Sequence, residues 1–286
     1  MTFGVMLVFV LFIFWRPQEW LLPWIFGWPL MDIVVSVAVI TFWLETDQRN
    51  LRPPFDKPQT YLFIGLWFAS LMSHVAHTYF AGMMETIIPT FKICFFGAVL
   101  FNATERTSRL RILGRLFVAM GCTMALHSML QQWRGYGFAD GRPLWAPGDF
   151  GTIEVRSRYF GIFSDPNDFA QMLAAFIPFS FVIYRRRSFL KFLISAAIAG
   201  WLVMGLLATH SRGGLIALAT VTAITVIFML PARWTPFFML IFAGVALVLC
   251  PYSAAWLDES AHERIVYWGN ANQMFKENIL FGIGAG

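Results

Sequence analysis

Charge is scarce in this chain: only 13% of its 286 residues are Asp, Glu, Lys or Arg, about half the share of a soluble domain. That excludes an ordinary water-soluble globule. Cysteine is nearly missing as well. Cys94, Cys122 and Cys250 lie far apart, in or at the ends of apolar stretches, which excludes a disulfide framework or thiolate cluster and leaves them as small core residues. There is no internal repeat and no low-complexity tract. No basic segment precedes the first apolar stretch and no small-residue cleavage site follows it, so it does not read as a cleaved signal.

What is abundant is apolar surface. Hydrophobic residues make up 58% and aromatics 17%, and the mean hydropathy is +0.63. Apolar segments near 2–15, 28–44, 60–76, 83–101, 113–131, 167–184, 189–208, 214–230 and 235–250 predict about nine transmembrane helices. The expected fold class is an all-α polytopic membrane protein, because a backbone in lipid must satisfy its own hydrogen bonds. The expected organisation is N-terminal helices over 1–131, a long loop over 132–166, further helices over 167–250 and the start of a second polar segment over 251–286. Trp15, Trp20, Trp24 and Trp28 read as an interfacial aromatic belt.

The net charge of +5 reports orientation in such a protein, not affinity for nucleic acid. With a cytoplasmic N-terminus, the short inner loops carry Arg49, Arg52, Lys57, Arg106, Arg109, Arg111, Arg115, Arg185, Arg186, Arg187, Lys191 and Arg233. The acidic residues Asp140, Asp149, Glu154, Asp165, Asp168, Asp258, Glu259, Glu263 and Glu277 then all fall outside. The positive-inside rule favours this topology.

The stretch RSRYFGIFSDPNDFA, Arg156 to Ala170, closes the long loop and enters an apolar segment. Asp165 is placed to cap a helix starting at Pro166, with Asp168 in its first turn. Arg156 and Arg158 stand just before that start. Arg212, in the turn HSRGG with Gly213 and Gly214, and Arg264, in AHERIVYWGNANQMF, come from distant parts of the chain yet map to the same outer side. Ile265, Trp268 and Phe275 recur at helical spacing, which predicts a surface helix with one face against the bundle. The plain alternatives are lipid headgroup anchoring for the loop arginines and a salt bridge to Glu263 or Asp258 for Arg264.

Three outer arginines among glycines and aromatics suit a phosphate or diphosphate, which arginine holds bidentately at any working pH. Of the histidines, His74 and His77 have a spacing that shares a helix face, but no acidic residue nearby completes a metal set. No metal and no cofactor is expected. His210, beside Ser211 and Arg212, is the histidine best placed to matter. Lys92 lies within a span, two turns from Glu85. It could pair with Glu85, with Asp32 or with a ligand phosphate, or simply fix helix packing. The loop aromatics Trp133, Tyr136, Phe138, Trp145 and Tyr159 could stack on sugar rings or seat the loop at the lipid interface.

The run Arg158-x-x-Gly161-x-Phe163-x-x-Pro166-Asn167, then Ser211-Arg212-Gly213-Gly214, then Arg264, Trp268, Phe275, Asn278, Gly282 and Gly284, resembles the O-antigen ligase and O-antigen polymerase superfamily of bacterial inner membranes. The resemblance covers about residues 150–286; earlier spans match in character alone. It implies a GT-C-type helical bundle that transfers a glycan, without metal, from undecaprenyl diphosphate to lipid A core, a protein or a growing polysaccharide at the periplasmic face. It also implies Arg158, Arg212 and Arg264 as the catalytic arginines. Arg156, Pro166, Asn167, Ser211, Gly213, Gly214, His210 and Lys92 are then expected to bind or shape the site for the lipid-linked donor. Family members continue beyond the glycine-rich stretch into a large loop bearing an acceptor-activating histidine. This chain stops at Gly286, so it is expected to be a truncated member that lacks that base. The competing class is a flippase for lipid-linked saccharides. Against it stand the one-sided arginines and the lack of paired broken helices.

Overall fold

A computed structural model describes residues 1–49, 58–104, 106–147, 153–183, 188–229, 236–237, 240 and 259–283. Helix dominates: α1 Thr2–Phe14, α2 Pro17–Trp20, α3 Leu30–Arg49, α4 Pro58–Ala76, α5 Phe80–Ala103, α6 Thr107–Arg134, α7 Pro166–Phe176, α8 Phe189–Leu207, α9 Arg212–Met229 and α10 Glu259–Glu277. Eight of the predicted apolar segments are helical; the ninth, 235–250, lies almost wholly outside the described residues. Among the described residues, α5, α6 and α8 are long and apolar enough to cross a membrane, an arrangement that fits an all-α membrane protein. The count of nine spans is not reached on that measure. α1 has 13 residues and is about 20 Å long, short of the ~30 Å hydrocarbon layer.

Two compact units divide the chain. The first comprises 1–2, 37–104 and 240–286; the second comprises 3–36 and 105–239. In the first, α4 and α5 pack as a pair. Asn102 Nδ2 donates to Thr60 Oγ1 at 3.2 Å and Trp67 Nε1 to Ile87 O at 3.1 Å, satisfying polar groups that lipid cannot. An apolar cavity of about 310 Å3 opens beside them, lined by Phe63, Trp67, Phe91 and Phe95 among others. α4 stops at Ala76. His74 is therefore buried in its last turn while His77 lies beyond it, with Nε2 2.5 Å from Gly282 O. The shared helix face expected of this pair does not form. α10 is helical as expected, but its residues 265–277 are all exposed, Trp268 at 71%.

In the second unit, α6, α7 and α8 build the core around Met124, Ala125, Phe169, Leu173, Leu202 and Leu206, all within 1% of complete burial. Small residues let these helices approach closely, as in membrane interiors where packing rather than water exclusion drives association. Gly205 of α8 meets Ala125 of α6, and Ser128 Oγ donates to Gly205 O at 2.9 Å. Phe14 joins Phe117, Phe163 and Phe176 in an aromatic cluster. α7 gives way to a tighter 3-10 segment, Ile177–Ile183. Pro178 lacks the N–H that the next α-turn would need.

The described residues of the loop expected over 132–166 carry a strand pair. β1 Leu144–Pro147 pairs antiparallel with β2 Ile153–Arg156, Leu144 opposite Arg156 and Trp145 opposite Val155. The last turns of α6 present a polar face to it. Gln131 Oε1 accepts from Arg158 N at 3.0 Å and its Nε2 donates to Gly141 O at 3.1 Å. Gln132 Nε2 reaches both Val155 O and Ala208 O at 2.7 Å. Ser157 Oγ donates to Ser128 O at 3.0 Å, and His127 Nδ1 accepts from Phe138 N at 3.0 Å. Buried loop backbone needs such partners, and α6 supplies them.

Candidate functional site

The site grows from two helix starts lying side by side. Asp165 caps α7 as expected, its carboxylate accepting from Asn167 N at 2.6 Å and Asp168 N at 3.4 Å, with Pro166 at the first position. Ser211 caps α9: its Oγ accepts from Gly214 N at 2.9 Å and donates to Asn167 Oδ1 at 2.6 Å. One serine hydroxyl thus locks both termini together. A Cβ on Gly214 would run into Ala170 of α7, whereas one on Gly213 would meet only ordinary contacts at 3.7 Å. Gly214 is thus the glycine that the close approach of α9 to α7 requires.

Asp165→Ala should destabilise the protein by about 1 kcal/mol, read as a lowered thermal midpoint in detergent. An unchanged midpoint would mean that the α7 start is held by its packing alone.

Arg156, Glu154, His210, Ser211 and Arg212 line one hollow of about 280 Å3, walled by Leu206, Leu207 and Leu215. β2 supplies Glu154 and Arg156, two residues apart and so on one strand face. The α8–α9 turn supplies the rest. Arg156 Nη2 lies 3.4 Å from Glu154 Oε2, with both side chains 29% exposed, a weak pair. Among the described residues, its buried Nε has no hydrogen-bond partner. His210 is exposed and held in the left-handed region at φ 49°, a conformation that costs about 1–2 kcal/mol without glycine. Arg212 is exposed at the first residue of α9, where the helix start already carries positive partial charge.

The other expected residues are distributed differently. Arg158 does not line this hollow: the chain leaves the strand after Arg156, Ser157 turns inward onto Ala208 O at 3.2 Å, and Arg158 Nε donates to Arg142 O at 3.1 Å. Pro166 is buried, and Asn167 serves the helix junction. Lys92 is half-buried on α5 in the first unit. Arg264 belongs to that unit too, and its side chain lies outside the described residues. Sequence reasoning missed Glu154 as the carboxylate beside Arg156, although its i, i+2 spacing in a strand was the available signal. It also missed the polar stripe His127, Ser128, Gln131 and Gln132, visible as i, i+1, i+4, i+5 on one helix face.

Near Tyr159, burial pushes the phenol pKa above its ordinary range, so the hydroxyl stays protonated and donates to Trp15 O at 2.8 Å. Among the described residues no three His, Cys, Asp or Glu side chains converge. No family model, curated protein or solved structure matches the chain.

Proposed function

We propose that this chain is an O-antigen ligase-like glycosyltransferase that takes a glycan from undecaprenyl diphosphate at the periplasmic face of the inner membrane. The observation that carries this reading is the pairing of Arg156 and Arg212. They are far apart in sequence, yet line one hollow at the start of α9 with His210 and Ser211. Two guanidinium groups line the hollow, and the α9 start adds its partial positive charge. A diphosphate suits such a place.

In the reaction, an acceptor hydroxyl oxygen bonds to the anomeric carbon while the bond from that carbon to the diphosphate oxygen breaks. The electron pair stays with the diphosphate, whose growing charge Arg156 and Arg212 stabilise. The acceptor's proton passes to a base, and His210 is the imidazole lining the hollow that can take it. Arg158 is expected to add to donor binding from the neighbouring loop.

The test uses purified protein in detergent with glycan-charged undecaprenyl diphosphate and an acceptor. Glycan on the acceptor together with free undecaprenyl diphosphate is the expected outcome. A flippase yields neither product in a single compartment, so intact donor would favour that class. His210→Gly should remove the left-handed strain and keep or raise the thermal midpoint, while lowering transfer by about a hundredfold. Full transfer in this variant would take the ring out of the chemistry.

A further inference from the structure

The hairpin has a second face. Trp145 alternates with Leu144 along β1, so it points away from the Arg156 side of the ribbon. There, with Gly135, Tyr136, Asp140 and Arg142, it lines a separate hollow of about 390 Å3. Trp145 is 63% and Tyr136 47% exposed, large rings left open where burial would be cheaper. Among the described residues, neither Asp140 nor Arg142 is in an ion pair.

The floor of this hollow is held in a costly shape. Ala139 and Asp140 are both left-handed, at φ 46° and 55°, and consecutive non-glycine residues of this kind persist only where their surroundings impose them. Those surroundings are present. Gly137 N donates to Gly141 O at 2.8 Å and Gly141 N to Phe138 O at 2.9 Å. His127 and Gln131 hold the same turn from α6, and Trp20 stacks on Phe138 at 4.6 Å. The backbone at Asp140 is thereby fixed at the hollow that Tyr136 and Trp145 also line.

We propose that this hollow is a saccharide subsite that takes a pyranose ring. The C–H face of such a ring lies on Trp145 or Tyr136, while its hydroxyls donate to Asp140 and accept from Arg142. An anion is disfavoured by Asp140 and a simple cation by Arg142; an uncharged polyhydroxylated ring uses both. The proposal deepens the glycan-transfer reading and rests on it for the substrate class. Diphosphate would lie on one face of the ribbon and sugar on the other.

The experiment titrates the purified chain in lipid nanodiscs with three uncharged, phosphate-free probes: maltotriose, an N-acetylglucosamine trimer and a galactose trimer. Binding is followed by saturation-transfer NMR. At least one probe should bind saturably, about tenfold more weakly to Trp145→Ala and Asp140→Asn, equally to Arg212→Ala, and near normally to Trp145→Tyr. Matched thermal midpoints confirm folding. Failure of all three probes, or binding untouched by Trp145→Ala, overturns the subsite. So does quenching by brominated acyl chains of the fluorescence lost in Trp145→Phe, which would seat that ring in lipid. A parallel titration with inorganic pyrophosphate separates the two readings. Pyrophosphate binding without saccharide binding sinks the subsite alone; saccharide binding without pyrophosphate binding leaves it standing and sinks the diphosphate reading.

Discussion

Arg212→Ala should leave the protein as stable as before, or slightly more so, and lower glycan transfer by about a hundredfold to a thousandfold. The two halves of this expectation have different causes. Arg212 is exposed at the first residue of α9, where the helix dipole disfavours a cation by about 0.3–1 kcal/mol. The acids Asp165 and Asp168 at the start of α7 are the arrangement that helix physics favours, and Arg212 is its opposite. In the proposed transfer the departing diphosphate gains charge as its bond breaks, so the missing guanidinium should be felt more in kcat than in KM. Arg212→Lys should recover only part of the loss, since an ammonium cannot give the planar two-point contact. Arg156→Ala should follow the same pattern, softened because Glu154 already takes some of its charge. Normal transfer by Arg212→Ala, at an unchanged midpoint, would remove the hollow from the mechanism.

Helix positions were largely legible because each reports itself through a long apolar run. The boundaries of α4, α5, α6 and α8 fall within a few residues of those runs, and the cap at Asp165 was readable from Asp-Pro alone. Less was legible where local pattern yields to tertiary partners. The stretch 132–166 looks like a loop since its polar residues and glycines have no period. It folds as a hairpin and clamp because Gln131 and Gln132 on α6 satisfy its backbone. That arrangement is a long-range fact invisible in a short window.

The site was legible in part for the same reason. Arg212 and Arg156 are both visible in the sequence as candidates, and alternation along β2 places Arg156 in the hollow that Arg158 does not line. Ser211 and Asn167 were read as ligand-binding residues. Their mutual hydrogen bond shows them joining two helix starts, a positioning role that sequence cannot separate from contact with substrate.

The second large effect is expected far from the hollow, at Gly205. A Cβ there would stand 2.6 Å from Ala125 Cβ and 2.7 Å from its Cα. The latter is backbone, so no rotamer change gives relief and α8 must move off α6. Gly205→Ala should therefore cost about 1–3 kcal/mol, against no loss for Gly200→Ala, whose Cβ would meet nothing within 4 Å. The functional consequence follows from what α8 carries. Ala208 O, one residue past its end, accepts from Ser157 N and Gln132 Nε2 and so sets the position of β2. His210, Ser211 and Arg212 follow directly. Displacing α8 shifts Arg156 and Arg212 together, and a misplacement of about 1 Å can lower a rate by a hundredfold. Adding Ala125→Gly to Gly205→Ala should restore part of both stability and transfer, because it removes the side-chain half of the clash and leaves the backbone half. If the double variant is no better than Gly205→Ala in either measurement, close packing of α6 on α8 is not what holds the hollow in register.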